Sequence, residues 1–133
     1  MATIRSELTT RAPADEVWSA VRDIGALHTR LVPGFVVDTR LEPGARIVTF
    51  INGVVLREPI VTLDDKARRL VWTAEGGRAR HYNAALTVAS LPGGATSVVW
   101  TADFLPDELN DYFSRAIGAG MAAMQVALDK LAA

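Results

Sequence analysis

Two short stretches of this 133-residue chain carry side chains that could do chemistry, Arg57-Glu58 and His81-Tyr82-Asn83. Histidine titrates near neutrality and can serve as a general acid or base, while tyrosine or asparagine can hold an oxyanion or a carbonyl. The residues around His81 read as a strand, and strand alternation puts His81 and Asn83 on one face. Tyr82 falls on the other with Ala84, Leu86 and Val88. The second set is the more apolar, so the pattern turns Tyr82 inward and His81 to solvent, unless a bulge near the strand end reverses them. Arg57 and Glu58 interrupt an otherwise apolar strand. Arg57 shares its face with Val55, Val61 and Leu63, and Glu58 shares its face with Val54, Leu56 and Ile60. Both faces are apolar, so whichever charge points inward needs a partner. A buried arginine would fix a carboxylate or phenolate on a ligand. A buried glutamate would be an acid of raised pKa. The non-catalytic alternative is one outward charge and one structural ion pair. His81, Glu58 and Tyr82 are thus the candidate acid–base residues, and Arg57 and Asn83 are candidate ligand contacts.

Asp103 ends the strand Trp100-Thr101-Ala102-Asp103-Phe104. It either points into a pocket mouth or caps or pairs near the start of the final helix, which Leu105-Pro106-Asp107 begins immediately afterwards. Trp72, Trp100 and Phe104 can lie on inward faces and offer an aromatic stacking surface, or serve as core.

Other chemistries lack their residues. With no cysteine, the chain has no disulfide, thiol nucleophile or Cys-ligated metal. Its two histidines, His28 and His81, have no metal-ligand spacing, so no metal is expected. There is no G-x-S-x-G elbow. Gly118-Ala119-Gly120-Met121-Ala122-Ala123 formally matches a dinucleotide motif, but it lies inside an apolar helical pattern with no βαβ unit around it. Fourteen Lys+Arg against fifteen Asp+Glu leave a net charge of −1, which argues against a nucleic-acid partner. Half of the residues are hydrophobic and 22% charged, a globular composition. The longest uncharged window, Tyr82 to Ala102, contains Asn83, Pro92, Gly93 and Gly94, and the apolar stretch Ala116 to Leu128 is too short to span a bilayer. The first ten residues include Arg5 and Glu7 and so lack a signal-peptide core. The expectation is a cytoplasmic protein without membrane insertion, monomeric or homodimeric.

The elements that must position these residues are delimited by turns. Glu42-Pro43-Gly44, Asn52-Gly53, Asp64-Asp65-Lys66, Glu75-Gly76-Gly77 and Leu91-Pro92-Gly93-Gly94 separate six β-rich runs. These are Phe35–Leu41, Ala45–Ile51, Val54–Leu63, Arg69–Ala74, Arg80–Ala89 and Thr96–Phe104, which read as an antiparallel meander. Asn52-Gly53 reads as a two-residue type I′ hairpin. Thr3–Thr9 is a seventh strand. Ala12-Pro13-Ala14-Asp15-Glu16 opens a helix with Val17, Trp18, Val21 and Ile24 as its buried stripe, ended or bent at Gly25. A second short helical piece runs to His28 or Thr29. From Pro106-Asp107-Glu108 onward, apolar residues recur at helical spacing and nothing stops the helix before Ala133. At 1.5 Å per residue it would run roughly 40 Å.

The fold class is therefore α+β, a curved seven-stranded antiparallel sheet against one long C-terminal helix, with two short helices after the first strand. Such a sheet need not fill the space beneath it. Gly118, Ala119, Gly120, Ala122 and Ala123 on the helix, with Ala84 and Ala85 on the sheet, are small enough to leave a cavity. Glycine inside a helix costs about 1 kcal/mol relative to alanine, so Gly118 and Gly120 call for close packing, a bend or room for a ligand. Phe113, Ile117, Met121 and Met124 would form the helix side of that cavity, and thioethers adapt to irregular ligands.

This element order, with Ala12-Pro13-Ala14-Asp15-Glu16-Val17-Trp18 and Leu31-Val32-Pro33-Gly34, resembles the START-like superfamily over essentially the whole chain. That group includes the bacterial SRPBCC proteins, the aromatic polyketide cyclases and the Bet v 1 type. The sequences it most resembles are small bacterial polyketide cyclase/dehydrase-type members. The resemblance implies a helix-grip fold with a deep pocket for an apolar, aromatic or lipid-like small molecule. If there is turnover, it implies cofactor-free cyclisation or dehydration. The alternatives are a lipid or quinone carrier or sensor, and an interaction domain like the Hsp90-activator branch.

Overall fold

A computed structural model describes residues 1–132 of the chain. The elements follow one another as β1 (Ala2–Thr10), α1 (Ala14–Arg22), β2 (Val36–Glu42), β3 (Ala45–Phe50), β4 (Val55–Asp64), β5 (Arg69–Thr73), β6 (His81–Ser90), β7 (Thr96–Leu105) and α2 (Asn110–Asp129). The strands form one antiparallel sheet in the order β1-β7-β6-β5-β4-β3-β2. Every neighbour from β2 to β7 is thus consecutive in the chain, as short turns dictate, and β1 closes against β7. This is the helix-grip architecture.

The sheet bends where β4 passes between partners. Residues 55–59 pair with β3, Ile60 onward pairs with β5, and the register shifts between Ile60 and Thr62. A bulge of this kind increases local twist, and it leaves Val61 exposed. The concave face wraps α2, whose buried stripe is Ile117, Gly120, Met121, Met124 and Leu128. Removing each large member of that stripe from water contributes about 1.5–3 kcal/mol.

Local details depart from the sequence expectation in four places. Pro13 caps α1 from outside, its carbonyl accepting from the Glu16 and Val17 amides. That helix ends at Arg22, so Gly25 lies in a separate 3₁₀ turn, Ile24–Ala26. The following piece is a single π-turn reaching Leu31 rather than stopping at Thr29. The long helix is α-helical only over Asn110–Asp129, with a 3₁₀ turn at each end, Asp107–Leu109 and Lys130–Ala132. Its expected end at Ala133 lies outside the described residues.

The β3–β4 hairpin is the correction with the largest consequence. The Phe50 amide donates to the Val54 carbonyl and the Gly53 amide to that of Phe50, giving a three-residue loop in which Gly53 alone has positive φ (+88°). This is a turn closed by a glycine bulge, not the two-residue type I′ turn. A two-residue loop would set Ile47 opposite Glu58. The actual loop sets Arg46 opposite Glu58.

Helix α1 is fastened over the far end of the sheet. The Trp18 indole N–H donates to Asp65 Oδ1 at 2.8 Å, and Arg22 Nε donates to the same oxygen at 2.6 Å. Both partners hold the Asp65 carboxyl below the usual carboxylate range, Arg22 chiefly.

Candidate functional site

Between the concave face and α2 lies a cavity of about 150 Å³. Its walls are mostly apolar: Leu27 and Leu31 from the π-turn, Trp72, Leu86 and Trp100 from the sheet, and Phe113, Ile117 and Met124 from α2. It opens where its lining becomes exposed, at Ile51, Asn52, Gly76, Gly77 and Arg78. There the Arg78 guanidinium stacks on the Tyr112 ring at 4.7 Å.

Arg46, Glu58 and Tyr82 are the buried polar residues of the cavity lining. Arg46 Nε donates to Glu58 Oε1 at 2.9 Å, with side chains 2% and 7% exposed. Arg46 Nη1 reaches the Ile24 carbonyl at 3.4 Å, and its guanidinium lies 5.4 Å from the centre of the Trp72 ring. Burial raises the Glu58 carboxyl above its ordinary value, and the Arg46 charge and hydrogen bond only partly offset this. Tyr82 is buried against Phe113, with ring centroids 5.0 Å apart. No hydrogen bond to its hydroxyl forms among the described residues. Burial, and next the Glu58 charge, push the phenol well above its ordinary range. The one opposing influence is the Trp100 indole N–H, which lies beside the phenol oxygen without closing a hydrogen bond of ordinary geometry.

Of the residues singled out in the sequence, Glu58, Trp72, Tyr82, Trp100, Phe113, Ile117 and Met124 border this cavity. Met121 and Phe104 are buried but do not. Four others stand on the opposite side of the sheet. Arg57 points outward to Glu42 and Glu75, which together raise its pKa, Glu42 foremost. It is the outward charge of the Arg57-Glu58 pair because alternation commits its neighbour to the core. His81 Nε2 lies 2.6 Å from Asn83 Oδ1, and Asn83 Nδ2 donates to Asp103 Oδ2 at 3.2 Å. Thr3 Oγ1 completes the chain, donating to Asp103 Oδ1 at 2.6 Å. This ties β1, β7 and β6 together on the outer face and depresses the Asp103 carboxyl, through Thr3 first and Asn83 second. Asp103 therefore neither enters the cavity nor caps α2. β6 pairs with β7 without a register shift, so no bulge turns His81 inward.

Arg46 is the site residue that the motif reading missed. Alternation along β3 places Arg46 on one face with Val48 and Phe50, a signal that could have found it. Of the two helix glycines, Gly120 is the close approach. A Cβ there would stand 2.9 Å from Trp100 Cζ3 and 3.2 Å from Phe35 Cε2. Gly118 faces open space. Among the described residues no group of three His, Asp or Glu comes together as a metal site, and no helix is long and apolar enough to cross a membrane.

A curved seven-stranded sheet gripping a C-terminal helix over a cavity is the Bet v 1-like arrangement of the SRPBCC superfamily. Residues 1–133 match one family model, and the chain belongs to that family, "polyketide cyclase / dehydrase and lipid transport". Among solved structures, a protein from Thermobifida fusca is 30% identical, with a TM-score of 0.79 over 98% of this chain and 95% of its own. XoxI from Bacillus cereus is 18% identical, with a TM-score of 0.86 over 96% of each chain. Norcoclaurine synthase from Thalictrum flavum, solved with dopamine and hydroxybenzaldehyde, is 20% identical, with a TM-score of 0.75 over 98% of this chain and 85% of its own. Among curated proteins none matches the sequence.

Proposed function

We propose that the protein binds a small, mostly apolar aromatic molecule in the cavity between the sheet and α2. The observation that carries this is an apolar cavity whose buried end holds a phenol and a carboxylate not fully used by the protein itself. A cavity of about 150 Å³ accommodates one benzene-sized ring, and the open side leaves room for a substituent. Trp72 and Trp100, with ring centroids 6.0 Å apart, supply aromatic faces for it. Membership of a cyclase, dehydrase and lipid-transport family supports a small-molecule role, and so does the architecture shared with a synthase solved with two aromatic ligands.

Mass spectrometry of the purified protein, native and then denatured, tests this by revealing a co-purified aromatic or lipid-like molecule. Thermal unfolding with a panel of aromatic compounds is the companion measurement. A true ligand at a hundred times its Kd stabilises the fold by about 2.7 kcal/mol. Ala116→Phe, which fills the cavity from α2, should abolish that stabilisation. A panel without effect on the wild-type protein would sink the proposal.

A second reading, acid–base turnover of the bound molecule, is favoured by one observation. Glu58 and Tyr82 both border the cavity, and both titrate above their ordinary ranges. Two such groups on one ligand are what proton transfer without a cofactor requires. His81, on the outer face, takes no part in it.

A further inference from the structure

Resting on the proposal that the cavity holds an aromatic ligand, we infer that the ligand's polar group is an uncharged oxygen acceptor such as a ketone, aldehyde or ester carbonyl. Tyr82 is its hydrogen-bond donor, and Glu58 excludes carboxylates by occupying Arg46. Two cations border the cavity, Arg46 and Arg78. Arg78 is exposed at the opening and stacked on Tyr112, away from the buried end. Arg46 is at the buried end, but its Nε is committed to Glu58, its Nη1 faces the Ile24 carbonyl and its flat side lies over Trp72. A carboxylate arriving there meets the Glu58 charge and a guanidinium already neutralised. Like charges brought together out of water repel strongly.

The donor side is equally defined. The Tyr82 hydroxyl has no hydrogen-bond partner among the described residues, and the buried Trp100 Nε1 has none either. The indole N–H lies beside the phenol oxygen, so that oxygen is the end approached by a donor, and the phenol proton is free for a ligand. With the indole N–H directed at its oxygen, Tyr82 is left as a pure donor. Trp100 is thus a positioning residue for Tyr82. Burial and Glu58 keep the phenol protonated, so this donor persists at any physiological pH.

The test is an NMR titration of the full chain at pH 7 with three probes of similar shape: acetophenone, ethylbenzene and benzoate. The indole N–H signal of Trp100 reports occupancy, with that of Trp18, which does not border the cavity, as internal reference. Acetophenone should bind roughly five-fold more tightly than ethylbenzene, the worth of one neutral hydrogen bond. It should also bind at least about ten-fold more tightly than benzoate. Tyr82→Phe should erase the advantage over ethylbenzene without weakening ethylbenzene itself. Glu58→Gln, which frees Arg46, should raise benzoate affinity by about ten-fold or more. Should Glu58→Gln fail to fold, the wild-type selectivity and Tyr82→Phe carry the test. Benzoate binding as tightly as acetophenone overturns the inference. So does ethylbenzene matching acetophenone in the wild-type protein, although aromatic binding as such then stands. Absence of binding by all three overturns both.

Discussion

Arg46 and Glu58 face one another across β3 and β4, Nε to Oε1 at 2.9 Å, at the buried end of the cavity. Removing two charges from water costs several kcal/mol each, and a single hydrogen bond with one stacked ring returns only part of that. The pair is a costly way to fill a core. Its place beside Tyr82 and Trp72 makes it part of the site.

That energetic asymmetry can be measured. Arg46→Met leaves a buried carboxylate without its partner and should cost about 3–5 kcal/mol of stability. Glu58→Leu strands the guanidinium and should cost a similar amount. The double variant restores an apolar wall and should recover most of the loss. Urea unfolding of the four proteins gives the coupling energy directly. Additive losses in the double variant would show that the two side chains do not depend on each other.

Glu58 should also leave a mark on the pH dependence of stability. Its folded pKa lies above its ordinary value of 4.5, so between that value and the folded pKa the native state binds more protons than the unfolded state. Stability from this group is therefore present at low pH and declines as pH rises through that window. The surface carboxylates Glu7, Asp65 and Asp103 are shifted the other way, and their contribution is lost only as pH falls below the ordinary carboxylate range. The difference between wild type and Glu58→Gln isolates Glu58. It should change in favour of the variant from pH 4.5 upward, and a flat difference would refute the raised ionisation.

The route from sequence to this site was legible where one strong pattern acted alone. Turn glycines and β-branched runs placed all seven strands to within one residue at each end. Alternation sent Tyr82 inward and His81 outward, but with both faces of β4 apolar it left open which of Arg57 and Glu58 turns in. It misled where a single residue decided parity. The Asn52-Gly53 pair looks the same whether its loop holds two residues or three, yet the three-residue loop is what brings Arg46 opposite Glu58. For Asp103 the strand-end position offered a pocket mouth or a role at the helix start, and neither holds. Its partners, Thr3 and Asn83, come from strands distant in sequence and meet it only through the β1-β7-β6 pairing. Met121 shows the limit of helical periodicity, which identifies a buried face but not which part of that face borders empty space.

The two helix glycines should respond in opposite directions to alanine. Gly118 is exposed, and a Cβ there meets nothing within 4 Å, so Gly118→Ala should stabilise by up to about 1 kcal/mol through helix propensity. Gly120→Ala gains the same propensity but drives a methyl group to 2.9 Å from the buried Trp100 ring. Overpacking of that kind costs about 1–3 kcal/mol, so the net change should be a loss. Thermal melts of the two variants decide the matter. A stabilised Gly120→Ala would mean that Trp100 can retreat freely, and its proposed hold on Tyr82 would go with it.

Passage into the cavity should depend on Arg78. The loop that carries it contains Gly76 and Gly77 at φ +93° and +76°, a conformation that other residues rarely adopt, and so its path is set by the two glycines. From there Arg78 reaches across the opening to stack on Tyr112, which in turn packs edge-on against Phe113 at 5.2 Å. An exposed cation–π contact contributes about 0.5–1 kcal/mol, enough to slow opening by a small factor but too little to fix the loop shut. Arg78→Ala removes this contact from the ligand-free and ligand-bound protein alike. Association and dissociation of an aromatic ligand should then accelerate together by about two- to five-fold, while the Kd stays nearly constant. Stopped-flow tryptophan fluorescence with acetophenone measures both rates. A change in dissociation alone would instead mean that the Arg78–Tyr112 contact stabilises the ligand-bound state specifically, and that it does not govern passage.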